Sequence, residues 1–193
     1  RLIPHKGAHY LIDAYTLLKQ RQPDLARDTQ LVIVGDGHYT EEYVKMIREK
    51  ARPHADIILT GFQSGESLRQ LLSHARLLVH PSDKEGLPVT VLEAMSYGLT
   101  VLLSDIPEHM ELQENPEYLF AQGQIRSLAD RLATALEQPT TALAEEGKKN
   151  RATIEQLYRW DMVVESIIAV YREAALAHTA IHASTRMTSA LKQ

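Results

Sequence analysis

The chain has 193 residues, 44% hydrophobic and 24% charged, with a formal net charge of −4, which is enough apolar material for one cored domain and argues against disorder. The acidic balance and the lack of a basic stripe interleaved with aromatics leave no support for a nucleic-acid surface. The absence of cysteine excludes disulfide scaffolds, zinc ribbons and cysteine nucleophiles, and no stretch approaches the roughly 20 apolar residues that cross a bilayer.

In chain order, the first expected element is an amphipathic helix over about residues 7–20, with Leu11, Ala14, Tyr15 and Leu18 on one face. A β-branched run at 31–34 reads as a buried strand, followed by a helix at 41–51 that turns Tyr43, Val44 and Ile47 inward. The alternation continues with a strand at 57–60, a helix at 66–73, a strand at 77–80, a helix at 88–97, a strand at 100–103 and a weaker strand at 118–120. Helices follow at 127–137, 143–157 and 160–177, and the polar, alanine-rich residues 178–193 extend the last helix or fray.

Strands and helices taking turns in this way predict an α/β fold, a Rossmann-like doubly wound parallel sheet with helices on both faces. We expect a single domain over 1–193, of which 143–193 is the C-terminal helical segment. Doubly wound domains begin with a strand, whereas the first element here is a helix and the first residue is Arg1. The expectation is therefore a piece of a longer protein whose first strand lies upstream. No secretory leader is visible, and the absence of cysteine fits a reducing cytoplasm, which is the expected setting.

Ligands of open parallel sheets bind at the carboxyl ends of the strands, so chemistry is sought in the loops there. The loop Pro81-Ser82-Asp83-Lys84-Glu85-Gly86-Leu87-Pro88 runs into a helix. Pro88 suits a first-turn position, and the free N–H groups of the helix start offer an anion site. Gly86 permits close backbone approach, so a phosphate is expected at Gly86 and Leu87. Glu85 and Glu93 lie on either side of that turn. Two carboxylates repel a phosphate, but they suit a ligand with hydroxyls on both sides of a diphosphate. The plainer alternatives are a solvated Glu85 and a Glu93 paired with a lysine.

Arg1 and Lys6 precede the first helix and could neutralise a diphosphate, or simply be solvated. Gly35-Asp36-Gly37 is a tight turn after a strand without the full glycine fingerprint of dinucleotide sites. Gly61-Phe62 is a similar turn, framing a base or capping the core. His80 is a satisfied core histidine or a ligand contact. No H-E-x-x-H, Asp-x-Asp, G-x-S-x-G or Walker pattern occurs, and the nine histidines form no tight sequence cluster, so no metal and no cofactor are expected.

These residues together resemble the C-terminal domain of the family 4 glycosyltransferases (glycosyl transferases group 1), two-domain enzymes of the GT-B fold. Arg1-Leu2-Ile3-Pro4-His5-Lys6-Gly7 is similar to the family's Arg-x4-Lys-Gly segment. Leu31 to Gly37 is similar to its strand ending in Gly-x-Gly. Glu85 to Met95 resembles its Glu-x7-Glu block, with Leu87 where many members have phenylalanine.

The resemblance covers about residues 1–171. It implies metal-independent transfer of a hexose from a nucleotide-diphospho-sugar with retention of configuration, UDP-sugars being favoured and GDP-sugars next. Arg1 and Lys6 would hold the diphosphate and stabilise the leaving charge, and Glu93 would accept the ribose hydroxyls. Glu85 would lie near the transferred sugar, the N–H groups of Gly86 and Leu87 would bind phosphate or sugar, and Gly35, Asp36, Gly61 and Phe62 would border the nucleotide.

The glycan, lipid or protein acceptor would be met by an N-terminal domain upstream, without which this piece is expected to be inactive. Polysaccharide biosynthesis and peripheral association of the full enzyme with the inner membrane surface are further expectations. Alternatives are a nucleotide-sugar epimerase of the same fold, which the Glu-x7-Glu spacing argues against, and a non-catalytic nucleotide-sugar-binding module.

Overall fold

The structure is a computed structural model that describes the backbone of residues 1–190 and the side chains of residues 1–178. Residues 1–152 form one compact unit and the described residues from Thr153 onward a second. The elements are α1 (Ala8–Arg21), α2 (Pro23–Ala26), β1 (Leu31–Val34), α3 (Glu41–Ala51), β2 (Ile57–Gly61), α4 (Gly65–His74), β3 (Leu78–His80) and α5 (Val89–Ser96). They continue with β4 (Val101–Ser104), α6 (Pro107–Met110), β5 (Leu119–Phe120), α7 (Ile125–Glu137), α8 (Thr140–Leu157) and α9 (Trp160–Ala190). Short 3-10 turns at Pro4–Lys6 and Pro116–Tyr118 precede α1 and β5.

All strand pairings among the described residues are parallel, as β-branched runs separated by helices imply. β4 is buried throughout, whereas Val32 and Val34 of β1 and Ile58 of β2 are exposed, contrary to the buried strands expected there. They form two ladders rather than one continuous sheet. β1 pairs with β2, Leu31 opposite Ile57, and β4 pairs with both β3 and β5, with Leu78 opposite Val101 and Leu103 opposite Leu119. In the doubly wound order 3-2-1-4-5-6, β2–β1 match 3-2 and β3–β4–β5 match 4-5-6. The leading segment ties the two ladders together at their carboxyl ends. Leu2 donates its N–H to Asp36 O beyond β1 at 2.9 Å, and Asp83 beyond β3 donates to His5 O at 2.7 Å.

α1 is apolar on two adjacent faces, and each face builds a core. Leu11, Ala14 and Leu18 pack with Leu102, Phe120 and the α7 residues Leu128 and Leu132. Ile12 and Tyr15 pack with Ile33, Val44, Ile47 and Ile57. Full burial of each large aliphatic side chain contributes about 1.5–3 kcal/mol, so α1 is the main bond between the two ladders. Tyr15 reaches through its cluster to donate to Thr29 O and shares Asp56 with Lys19. α8 lies close to the turn after α5, where a Cβ on Gly147 would fall 1.8 Å from Gly98 O. In the second unit, α9 exposes Trp160, Ile167, Val170 and Tyr171.

Candidate functional site

The site begins at Gly7, which caps α1 in the left-handed region at φ 69°. A Cβ there would lie 2.0 Å from Pro81 O, so only glycine permits both the backbone turn and the contact. That contact sets the 3-10 turn Pro4–Lys6 against the loop after β3. Lys6 Nζ consequently meets Glu85, 79 positions away, at 2.6 Å from each carboxylate oxygen.

Glu85 has further partners. His80 Nε2 lies 2.8 Å from Oε1 and Ser82 donates its hydroxyl to the same oxygen at 2.6 Å. Burial pushes this carboxyl upward, but the hydrogen bonds from His80, Lys6 and Ser82 outweigh it and hold it well below the usual carboxylate range. An ionised carboxylate only accepts, so His80 carries its proton on Nε2. The Glu85 side chain is 5% exposed, so the solvated Glu85 weighed from sequence is not what folding produces. His80 is a satisfied, partly buried histidine.

A second layer lies beneath. Ser104, ending β4, donates its hydroxyl to Ser82 O at 2.6 Å. The fully buried His109 of α6 sets Nδ1 3.0 Å from Ser104 O, a carbonyl that can only accept, so its proton sits on Nδ1. Burial, with the neighbouring His80, pushes the His109 imidazole down to about 4. It is neutral at neutral pH, and its bare Nε2 has no hydrogen-bond partner among the described residues. The sequence reading includes Ser82 in the loop without giving it a role and does not single out Ser104 or His109. Ser82 and Ser104 stand as polar residues at or just beyond the ends of apolar strands, and His109 lies in a short helix with no pattern of its own.

Folding also brings ligand atoms of His80, Glu85 and His109 within 4.8 Å of one another, a proximity that sequence spacing did not reveal. Those groups could in principle hold a metal. Lys6 already supplies the positive charge on both Glu85 oxygens, and a divalent ion there would stand beside an ammonium. The arrangement suits a carboxylate clamped by Lys6 better than a metal centre.

The loop then exposes its backbone. Gly86 and Leu87 are exposed, a Cβ on Gly86 would meet no protein atom within 4 Å, and neither residue's N–H finds an acceptor among the described residues. Pro88 does not occupy the first turn of α5, as expected from sequence, but its N-cap, with φ −78° and ψ 74°. These angles and the Val89 N–H to Leu87 O bond of 2.9 Å describe an inverse γ-turn. The turn uses the Val89 N–H internally, and Val91 and Leu92 donate to Pro88 O, so among the described residues the free donors here are those of Gly86, Leu87 and Thr90. One α5 turn later stands Glu93. Its side chain is partly buried and its carboxylate has no hydrogen bond or ion pair among the described residues. The lysine partner weighed from sequence is not there.

The remaining expected residues line the same carboxyl edge. The Arg1 guanidinium is exposed and makes no ion pair among the described residues. Gly35, at φ 137°, takes a conformation open to glycine, passes against the Arg1 backbone, and donates its N–H to Gly61 O at 2.8 Å. Asp36 turns inward on its own loop, accepting from Gly37 N at 2.8 Å and pairing loosely with Arg48 at 3.9 Å. Phe62 is 75% exposed, so it does not cap the core.

Tyr39, 87% exposed with φ 64°, is a strained aromatic in the loop after β1 that the sequence reading did not single out. A surface hollow of about 490 Å³ lies along α3 and β2, lined by Arg48, Arg52, His54 and Leu59 among others. It holds none of these loop residues.

A family model described as "Glycosyl transferases group 1" matches residues 1–160. The alpha-D-kanosaminyltransferase of Streptomyces kanamyceticus is 29% identical over 180 residues, covering 91% of this chain and 45% of that protein. The sulfoquinovosyl transferase SQD2 of Arabidopsis thaliana is 30% identical over 147 residues, covering 72% of this chain and 27% of that protein. Among solved structures, that of Anabaena Alr3699/HepE in complex with UDP-glucose superposes with a TM-score of 0.78 at 26% identity, covering 90% of this chain and 47% of that chain. The chain thus spans less than half the length of each of these three relatives.

Proposed function

The chain belongs to the group 1 glycosyl transferases, and from that premise we propose that it is the donor-binding half of a family 4 enzyme that transfers a hexose from a nucleotide-diphospho-sugar. The observation that carries this reading is the contact of Lys6 with Glu85 in the loop after β3, with Arg1 in the same leading segment as Lys6 and Glu93 in the helix that follows Glu85. Glu85 is clamped, and Glu93 is left without a protein partner among the described residues. The free N–H groups of Gly86 and Leu87 lie between the two carboxylates in sequence.

A diphosphate would take Gly86 and Leu87 N–H, Lys6 and the Arg1 fork. Ribose hydroxyls would donate to Glu93, and the transferred sugar would lie by Glu85. Phe62, with the turns at Gly35, Asp36 and Gly61, would border the base. As the glycosidic C–O bond breaks, negative charge gathers on the diphosphate, and preorganised cations there lower the barrier. Lys6 and Arg1 supply that charge, which supports metal-independent chemistry. The complex of HepE with UDP-glucose supports a UDP-sugar ahead of a GDP-sugar.

Retention of configuration, the glycan, lipid or protein acceptor and a role in polysaccharide biosynthesis rest on family likeness. So does work at the inner membrane surface, with the acceptor met by a further domain. No helix among the described residues is long and apolar enough to cross a membrane.

The test is calorimetric titration of the chain with UDP, GDP, ADP and NAD, with and without magnesium, repeated on Glu93→Ala. Metal-independent binding of one nucleoside diphosphate, weakened in the variant, is expected. Binding of NAD alone, or of no diphosphate, overturns the reading.

A further inference from the structure

On the reading above, Lys6 and Glu85 both serve a bound donor, yet in the chain by itself they occupy one another. Lys6 has three N–H donors, and with both Glu85 oxygens at 2.6 Å it spends two of them there. A carboxylate offers about four lone-pair positions. On Glu85, Oε1 takes Lys6, His80 and Ser82, while Oε2 takes Lys6 alone. The ammonium therefore cannot serve a diphosphate fully without leaving Glu85.

We infer that the Lys6–Glu85 pair discriminates a nucleotide sugar from a bare nucleoside diphosphate, the diphosphate drawing Lys6 away and a sugar hydroxyl taking its place on Glu85. The inference rests on the donor-site reading and adds an exchange of partners to it. A bare diphosphate strips the ammonium from a carboxylate that is 5% exposed and returns nothing to Oε2. That leaves a nearly buried charge whose remaining donors, His80 and Ser82, are both on the other oxygen, an unfavourable state. A nucleotide sugar brings hydroxyl donors along with its diphosphate and refills the position. His80 and Ser82 hold the carboxylate still during the exchange, because their bonds are to Oε1 and do not involve Lys6. The spent nucleotide is thereby held less firmly than the donor, which suits turnover.

The test uses the 193-residue chain and its Glu85→Gln, Lys6→Gln and doubly substituted forms. Each is titrated calorimetrically with UDP and UDP-glucose, or with GDP and GDP-mannose should guanine prove to be the base bound. Glu85→Gln is expected to bind the bare diphosphate about fivefold tighter, because the competitor for Lys6 is gone. Its preference for the nucleotide sugar should collapse towards none. In the Lys6→Gln background, the same Glu85 change should alter bare-diphosphate affinity by less than about twofold.

Should Glu85→Gln fail to fold, Glu85→Asp, whose shorter side chain retracts from Lys6 and keeps the charge, is expected to show the same sign. Binding of UDP that Glu85→Gln or Glu85→Asp leaves unchanged or weakens overturns the pair exchange alone. Silence of every form towards every nucleotide overturns the donor-site reading, and the exchange falls with it.

Discussion

Lys6 Nζ sits 2.6 Å from both carboxylate oxygens of Glu85, joining the turn before α1 to the loop after β3. The pair is asymmetric in burial, with side chains 27% and 5% exposed. Removing Lys6 is thus expected to cost more than a surface ion pair, about 1–3 kcal/mol in urea denaturation, because Glu85 stays behind without its cation. Lys6→Ala with Glu85→Ala together should cost less than the sum of the two single changes. Strictly additive costs would show that the contact contributes nothing to the fold.

Glu93 predicts the opposite division between stability and binding. Its carboxylate has no protein partner among the described residues, so Glu93→Gln is expected to change unfolding free energy by less than about 0.5 kcal/mol. Affinity for the preferred nucleoside diphosphate should fall about tenfold, as lost charge-assisted bonds to ribose hydroxyls would require. A variant that is unstable yet binds normally would make Glu93 a structural residue and remove it from the site.

His109 makes stability depend on pH. Burial lowers its folded pKa to about 4, below the roughly 6.5 of an unfolded histidine. Between these values the unfolded chain binds more protons, so stability falls as pH drops from about 6.5 to 4 and is insensitive to His109 above that window. The loss is of order 2–3 kcal/mol. Glu85 acts in the same sense at lower pH, since its depressed carboxyl contributes stability that disappears only below the ordinary carboxylate range of about 4. Thermal melts of the chain and of His109→Gln from pH 7.5 to 4 measure this. An equal slope in both proteins between pH 6.5 and 4 would falsify the assignment.

Gly7→Ala tests the junction that assembles the site. The new Cβ would fall 2.0 Å from Pro81 O at a residue with φ 69°, so both sterics and backbone conformation oppose it. A cost of about 2–4 kcal/mol is expected. Because the same contact brings Lys6 to Glu85, nucleotide affinity should fall as well. Gly86→Ala makes the contrast, as its Cβ would meet no protein atom within 4 Å. It should fold normally and lose affinity only if a ligand approaches that backbone. Near-normal stability in Gly7→Ala would mean that the loop after β3 moves aside freely.

The sequence by itself determined the order and type of the main elements, the short helices α2 and α6 excepted, and named the candidate site residues. β-branched runs at 31–34, 57–60 and 100–103 were legible as parallel strands between amphipathic helices, since both patterns are local and periodic, but only β4 is buried throughout, while Val32, Val34 and Ile58 of β1 and β2 are exposed. Leu11, Ala14, Tyr15 and Leu18 were legible as the inner face of α1 for the same reason, and all four are buried. The Glu-x7-Glu block and the Arg-x4-Lys-Gly segment carried the family. The tertiary structure alone decided which of these groups meet.

The 2.6 Å contact of Lys6 with Glu85 spans 79 positions, and no periodicity reports a contact at that separation. The same holds for the layer of Ser82, Ser104 and His109, and for the absence of a partner on Glu93. Pro88 shows the limit at short range, where proline suits a helix start in general but the local ψ turned it into an inverse γ-turn. Sequence pattern states what a residue prefers. Hydrogen-bond partners and burial, which set charge and reactivity, depend on which distant segments the core brings to the same edge.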